Sequence, residues 1–237
     1  MGRLKPHFVE IAIFSVVILL LTMGTYSRNR RWNSQIDLWI DCVKKSPNKA
    51  RPYVNLGFAY FNAGIYEKAL ETTQKAIQID SKSNGAYYNL SLIFEKMGDL
   101  NKAIAMGKKS LEIDPEMSMA YYALGGIYLK NGQYGEAEEA YKKFIKNSPY
   151  FPEAHNRLGA VYAAQKQFDK ALKEFELEIR INPSNALTHL NLGQLYWYEF
   201  QDRQKAIRHL RTALVINPFL PNRAEIRRLI RLLEGSS

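Results

Sequence analysis

Apolar and polar positions between residues 50 and 220 alternate on two scales. Locally, apolar residues fall three and four apart, which draws one stripe down one face of a helix. Over a longer span the stripe returns every 34 residues, in segments 50–83, 84–117, 118–151, 152–185 and 186–220, the last one residue longer. The fourth position of each segment is a ring (Tyr53, Tyr87, Tyr121, His155, His189), and the seventh is Leu (Leu56, Leu90, Leu124, Leu158, Leu192). The eighth is small (Gly57, Ser91, Gly125, Gly159, Gly193), and the eleventh is aromatic (Tyr60, Phe94, Tyr128, Tyr162, Tyr196). An Ala follows in the second half: Ala69, Ala103, Ala137, Ala171 and Ala206. The last of these comes one place late, so the turn after residues 197–200 carries a single inserted residue.

This pattern predicts two helices per segment, held close by the small eighth residue and the later Ala. Gly64, Gly98 and Gly132 end the first helix in the left-handed conformation. The second helix stops at Pro47, Ser81, Pro115, Pro149, Pro183 and Pro218 in turn. The run Tyr53-x-x-Leu56-Gly57-x-x-Tyr60, with Gly64, Ala69, Ala76 and Ser81 after it, resembles the tetratricopeptide repeat (TPR). The resemblance implies an all-α fold: a right-handed TPR superhelix, or α-solenoid, of five full repeats. Several positions depart from the family pattern. Thr73 and Gly107 stand where a large ring is usual, Phe144 and Glu178 where a small residue is usual, and Lys166 where the turn glycine belongs.

The ends of the array differ from its middle. Residues 222–234 form an amphipathic stretch, with Ile226, Leu229, Ile230 and Leu233 against Arg223, Arg227, Arg228 and Arg231. Residues 221–237 therefore read as a capping helix and tail, since a solenoid must cover its last face. Contact of this basic helix with anionic lipid or nucleic acid is the alternative. Residues 28–49 read as a juxtamembrane segment followed by a half repeat, with Trp39 and Cys42 at core positions. Cys42 is the only cysteine, so no intramolecular disulfide or cysteine zinc cluster is possible.

Residues 8–26 are apolar apart from Glu10. A helix of that length, rising 1.5 Å per residue, just spans a hydrocarbon core of about 30 Å. Residues 1–27 are thus expected to be one transmembrane anchor preceding the repeats, in preference to a cleaved signal peptide. Arg3 and Lys5 on one side balance Arg28, Arg30 and Arg31 on the other, so the positive-inside rule gives no orientation. The junction Arg28-Asn29-Arg30-Arg31-Trp32-x5-Leu38-Trp39, then Ser46-Pro47-x3-Arg51, resembles that of polytopic lipid-linked glycosyltransferases with C-terminal TPRs. That resemblance implies repeats outside the cytoplasm, periplasmic on an inner membrane if the source is bacterial. It brings none of the catalytic loops.

In the repeat family the first helices line a concave groove, which maps residue by residue onto this chain. The positions expected to contact a protein partner include Asn55, Phe58, Phe61, Tyr88, Asn89 and Leu92. Tyr122, Asn156, Arg157, Asn191, Trp197 and Tyr198 continue the set. The sixth positions supply Asn55, Asn89 and Asn191, a partial amide ladder interrupted by Ala123 and Arg157, and equally explained by packing. Ala160, Gln194, Lys96 and Lys130 are neighbouring groove positions. An apolar, aromatic groove suits a hydrophobic helix or an extended protein segment.

The formal net charge of +10 raises nucleic acid as a partner, but the scattered Lys and the apolar segment argue against it. No phosphate loop, metal-spaced His cluster or nucleophile motif is present, so neither catalysis nor a cofactor is expected. His155 and His189 repeat one packing position, and repetition accounts for them without a metal. Two functions fit. One is a noncatalytic, membrane-anchored scaffold that binds protein subunits and helps assemble or stabilise a membrane complex, held in lipid through residues 8–26. The other is an accessory domain or subunit of a membrane glycosyltransferase that presents acceptor protein.

Overall fold

The chain's structure, a computed structural model, describes residues 34–235 and, alone upstream of them, Ile18. The expected anchor at residues 8–26 lies outside the described residues but for Ile18. Among the described residues no helix is long and apolar enough to cross a membrane.

All regular structure among the described residues is helical, in twelve elements and without strands. They are α1 (Gln35–Lys45), α2 (Ala50–Asn62), α3 (Tyr66–Ile79), α4 (Asn84–Met97), α5 (Leu100–Ile113) and α6 (Ser118–Lys130). Then follow α7 (Tyr134–Asn147), α8 (Ala154–Ala164), α9 (Phe168–Ile181), α10 (Ala186–Tyr198), α11 (Arg203–Ile216) and α12 (Arg223–Gly235). They fall into two compact units that part between Ile93 and Phe94.

In the first unit α2 packs on both α1 and α3. Ser34 caps α1, its Oγ accepting from the Asp37 amide at 3.1 Å. No residue of α1 is fully buried, Trp39 and Cys42 included, because one side of this outermost helix has no neighbour among the described residues. In α3, the buried Thr73 fills the slot of the missing ring and bonds back to the Ala69 carbonyl at 2.7 Å. A methyl group on Gly57 would stand 2.2 Å from Thr73 Oγ1, which is why the eighth position there is glycine.

In the second unit the same approach carries larger partners. A methyl group on Gly125 would meet the Tyr141 ring at 2.9 Å, and one on Gly159 would meet Phe175 at 2.6 Å. One continuous core runs from Leu124 to Leu233 and includes Ile226, Ile230 and Leu233 of α12. Phe144 is 1% exposed, seated between Tyr122 (4.9 Å between centroids) and Phe151 (5.0 Å).

The turns explain the repeat length. After the first helix of a pair, a backbone N–H reaches back five residues: Ile65 to Tyr60, Asp99 to Phe94, Gln133 to Tyr128 and Gln167 to Tyr162. The residue inside that turn has positive φ: Gly64 (74°), Gly98 (86°), Gly132 (74°) and Lys166 (60°). In the fifth repeat Asp202 reaches back six residues to Tyr196, and Gln201 takes the positive φ of 53°. The inserted residue therefore sits inside this turn and leaves the helices on either side in register.

Candidate functional site

The amides of the sixth position are the first test of the groove. Asn89 is 4% exposed, and its Nδ2 donates to the Val54 carbonyl one repeat back at 2.9 Å. Asn191 Nδ2 donates to Asn156 Oδ1 at 2.9 Å, and Asn156 is 2% exposed. These amides join consecutive first helices to each other. Asn55 is half-buried in the first unit.

The aromatic positions divide in the same way. In the first unit Phe58, 40% exposed, stacks on the half-buried Phe61 (6.1 Å, 18°), which leans on Tyr66. Tyr88 and Leu92 are half-buried there, and burial pushes the Tyr88 hydroxyl above its usual pKa. In the second unit Tyr122 lies against Tyr141, Phe144 and Phe151, and Trp197 packs on the core. Tyr198 is 63% exposed. Among the basic positions Lys130 pairs with Glu95, while Lys96 is exposed. Arg157 is half-buried and reaches Glu153 at only 3.4 Å, with its Nε buried and unbonded.

Three elements of the second unit meet at a cleft of about 300 Å³. Ala160 and Ala163 of α8 form one wall, and Asn191, Gln194 and Tyr198 of α10 form the other. Phe175 of α9 closes the floor. The two alanines create the space, because small side chains there leave the Phe175 ring within reach of a visitor. The cleft thus joins an apolar floor to two amides, a phenol and the Glu199 carboxylate at its rim, which leaves room for an apolar side chain beside hydrogen-bonding groups. Ala160, Asn191, Gln194 and Tyr198 are groove positions named from the sequence; Phe175, on the second helix of its pair, is not among them. A second hollow, on the first repeat, is lined by Tyr53, Tyr60 and the chains of Lys68, Glu71 and Lys75 and has a more polar wall.

Glu178 escaped the sequence reading except as a departure from the pattern. It is fully buried on α9. Its Oε1 accepts from the Glu153 amide at 2.8 Å and from Asn185 Nδ2 at 3.0 Å, and its Oε2 faces the Asn156 amide at 3.4 Å. The side-chain oxygens of Glu178 thereby accept from N–H groups at the start of α8 that have no partner within the helix. Asn185 Oδ1 in turn caps α10 through the Thr188 amide at 3.1 Å.

The repeated His position also has two different environments. His155 Nδ1 lies 2.7 Å from Glu174 Oε2, and that carboxylate raises the His155 pKa. His189 Nδ1 instead meets His209 Nδ1 at 3.0 Å, while His189 Nε2 donates to the Pro183 carbonyl at 3.1 Å. Desolvation, then the charges of His189, Arg208 and Lys205, push His209 down to about 4. Among the described residues no three His, Cys, Asp or Glu side chains are grouped to hold a metal ion.

Paired helices with a 34-residue beat, glycine turns and close small-residue contacts define a repeat protein. Sequence models of the tetratricopeptide repeat match residues 48–116, 95–143 and 122–186, and this chain is a tetratricopeptide-repeat protein over that stretch. Protein O-mannosyl-transferase Tmtc3 of Drosophila melanogaster is 29% identical over 86 residues, 36% of this chain and 9% of the relative. The match thus spans about a tenth of the length of the curated relatives. Among solved structures, pilF of Pseudomonas aeruginosa aligns with a TM-score of 0.70 at 17% identity, covering 89% of this chain and 95% of its own. YrrB, described as a TPR protein with an unusual peptide-binding site, aligns with a TM-score of 0.64 at 24% identity, covering 80% of this chain and 97% of its own. Both likenesses are of fold.

Proposed function

We propose that this protein is a noncatalytic scaffold that binds a protein partner through its first helices and helps assemble or stabilise a membrane complex. The observation that carries the reading is the cleft between α8 and α10, where exposed Tyr198 and Gln194 flank an apolar floor at groove positions. It suits one apolar side chain of an extended segment, with neighbouring backbone groups bonded by the amides. YrrB, with a peptide-binding site on the same fold, lends support by analogy. Residues 8–26 supply the membrane anchor in this reading, with the repeats on the extracytoplasmic side.

The test is gentle detergent extraction of the full chain, followed by mass spectrometry of what stays bound. Tyr198→Ala with Gln194→Ala is the informative variant, because both side chains are exposed and their loss leaves the core intact. A membrane-complex subunit recovered with the native chain and lost from the variant, at unchanged helicity, is the expected result. Equal recovery from both moves the interface away from the cleft. Alkaline phosphatase and GFP fused at Ser237 test the orientation, and a GFP-only signal overturns the extracytoplasmic placement.

A second reading has its own support: the relatives matched by sequence are O-mannosyl-transferases, and the 28–51 junction resembles that of membrane glycosyltransferases. In that case the chain presents acceptor protein as an accessory subunit, and a glycosyltransferase copurifies with it.

A further inference from the structure

The last helix has a second face that the capping role does not use. α12 buries Ile226, Ile230 and Leu233 against the core. With 3.6 residues per turn, Arg227, Arg228 and Arg231 fall together on the opposite side, and all three are exposed. None of them has an acidic partner among the described residues. Of the two acids on α12, Glu234 is held by Arg211 of α11 at 2.6 Å, and Glu225 lies on the flank. Large apolar side chains stand exposed at the same end: Leu232 at 58%, Val215 at 79% and Phe219 at 81%. Val215 shares a face of α11 with Arg211, one turn on, and Phe219 sits in the turn leading to α12.

We propose that this end of the repeat array docks on an anionic lipid surface through Arg227, Arg228 and Arg231, with Leu232, Val215 and Phe219 entering the interfacial layer. The combination decides the partner. Duplex phosphates would match the arginines but leave three exposed apolar side chains with no counterpart. A membrane interface accepts both, the guanidiniums at the headgroups and the apolar groups at the acyl boundary. The surface is separate from the cleft, so the inference does not rest on the protein-binding reading.

The experiment uses the full chain with Cys42→Ser and Leu232→Cys, labelled at position 232 with an environment-sensitive fluorophore. A probe there reports the contact of α12 itself, whatever residues 8–26 do. Vesicles of phosphatidylcholine with phosphatidylglycerol are expected to blue-shift its emission, reversibly with high salt, while phosphatidylcholine alone does not. Combining Arg227→Gln, Arg228→Gln and Arg231→Gln should raise the lipid needed by about a hundredfold, and Glu at the three positions should abolish the shift; circular dichroism checks that the helices remain. Unchanged emission on anionic vesicles, or an equal response in the neutralised chain, overturns the proposal. So does a salt-sensitive response to duplex DNA with none to vesicles, which would assign the face to nucleic acid.

Discussion

Glu178 stands where Ala76, Ser110 and Ala213 keep the small residue of the pattern, yet it is fully buried. Its carboxylate is compatible with that burial because three donors converge on it. Glu178→Ala should therefore lower stability by about 2–4 kcal/mol, since it strands buried N–H groups as well as opening a cavity. Glu178→Gln keeps one acceptor oxygen and should lose less; urea unfolding of both variants checks the order. The two His pairs give a pH signature with opposite signs. His155 has a raised folded pKa, so its contribution is full below the unfolded value near 6.5 and fades as pH rises through the folded one. His209, lowered to about 4, contributes above 6.5 and loses that contribution as pH falls through 4. Measured as urea midpoints against pH, His209→Gln should flatten the acid limb between about 6.5 and 4, and His155→Gln the limb above 6.5. Neither slope should exceed about 1.4 kcal/mol per pH unit.

Among the elements, the turns hold the clearest room for improvement. Lys166 and Gln201 occupy the left-handed position that Gly64, Gly98 and Gly132 fill elsewhere. Lys166→Gly and Gln201→Gly should each raise stability by about 0.5–1 kcal/mol, and the two gains should add because the turns are far apart in sequence and share no partner. Thermal unfolding of the single and double variants checks this. The helix pairs themselves were legible because each rests on local chemistry: glycine for positive φ, a small eighth residue for close approach, proline for the stop. The fifth turn was half legible. Its extra residue showed in the spacing, but only the bond from Asp202 to Tyr196 shows how the turn absorbs it. The groove was less readable. Sequence position names which face a residue occupies, not how far neighbours enclose it: Asn89 and Asn156 are buried, Tyr122 and Trp197 half-buried against the core, and Tyr198 and Gln194 exposed.

Across the whole molecule, stability should be graded rather than uniform. α1 has no fully buried residue, whereas the second unit shares one core from Leu124 to Leu233. Amide hydrogen exchange should find α1 exchanging first and α8 to α11 last, and comparable protection of α1 and α8 would contradict that grading. An array of near-identical modules tends to unfold one module at a time, because each touches only its neighbours. Glu178 acts against that tendency. It grips the start of α8 and, through Asn185, the cap of α10, so the fourth repeat cannot open without loosening the fifth. The cleft lies between those two repeats. One buried side chain therefore ties the two walls of the cleft together, and the fourth and fifth repeats should lose amide protection in a single step rather than one after the other.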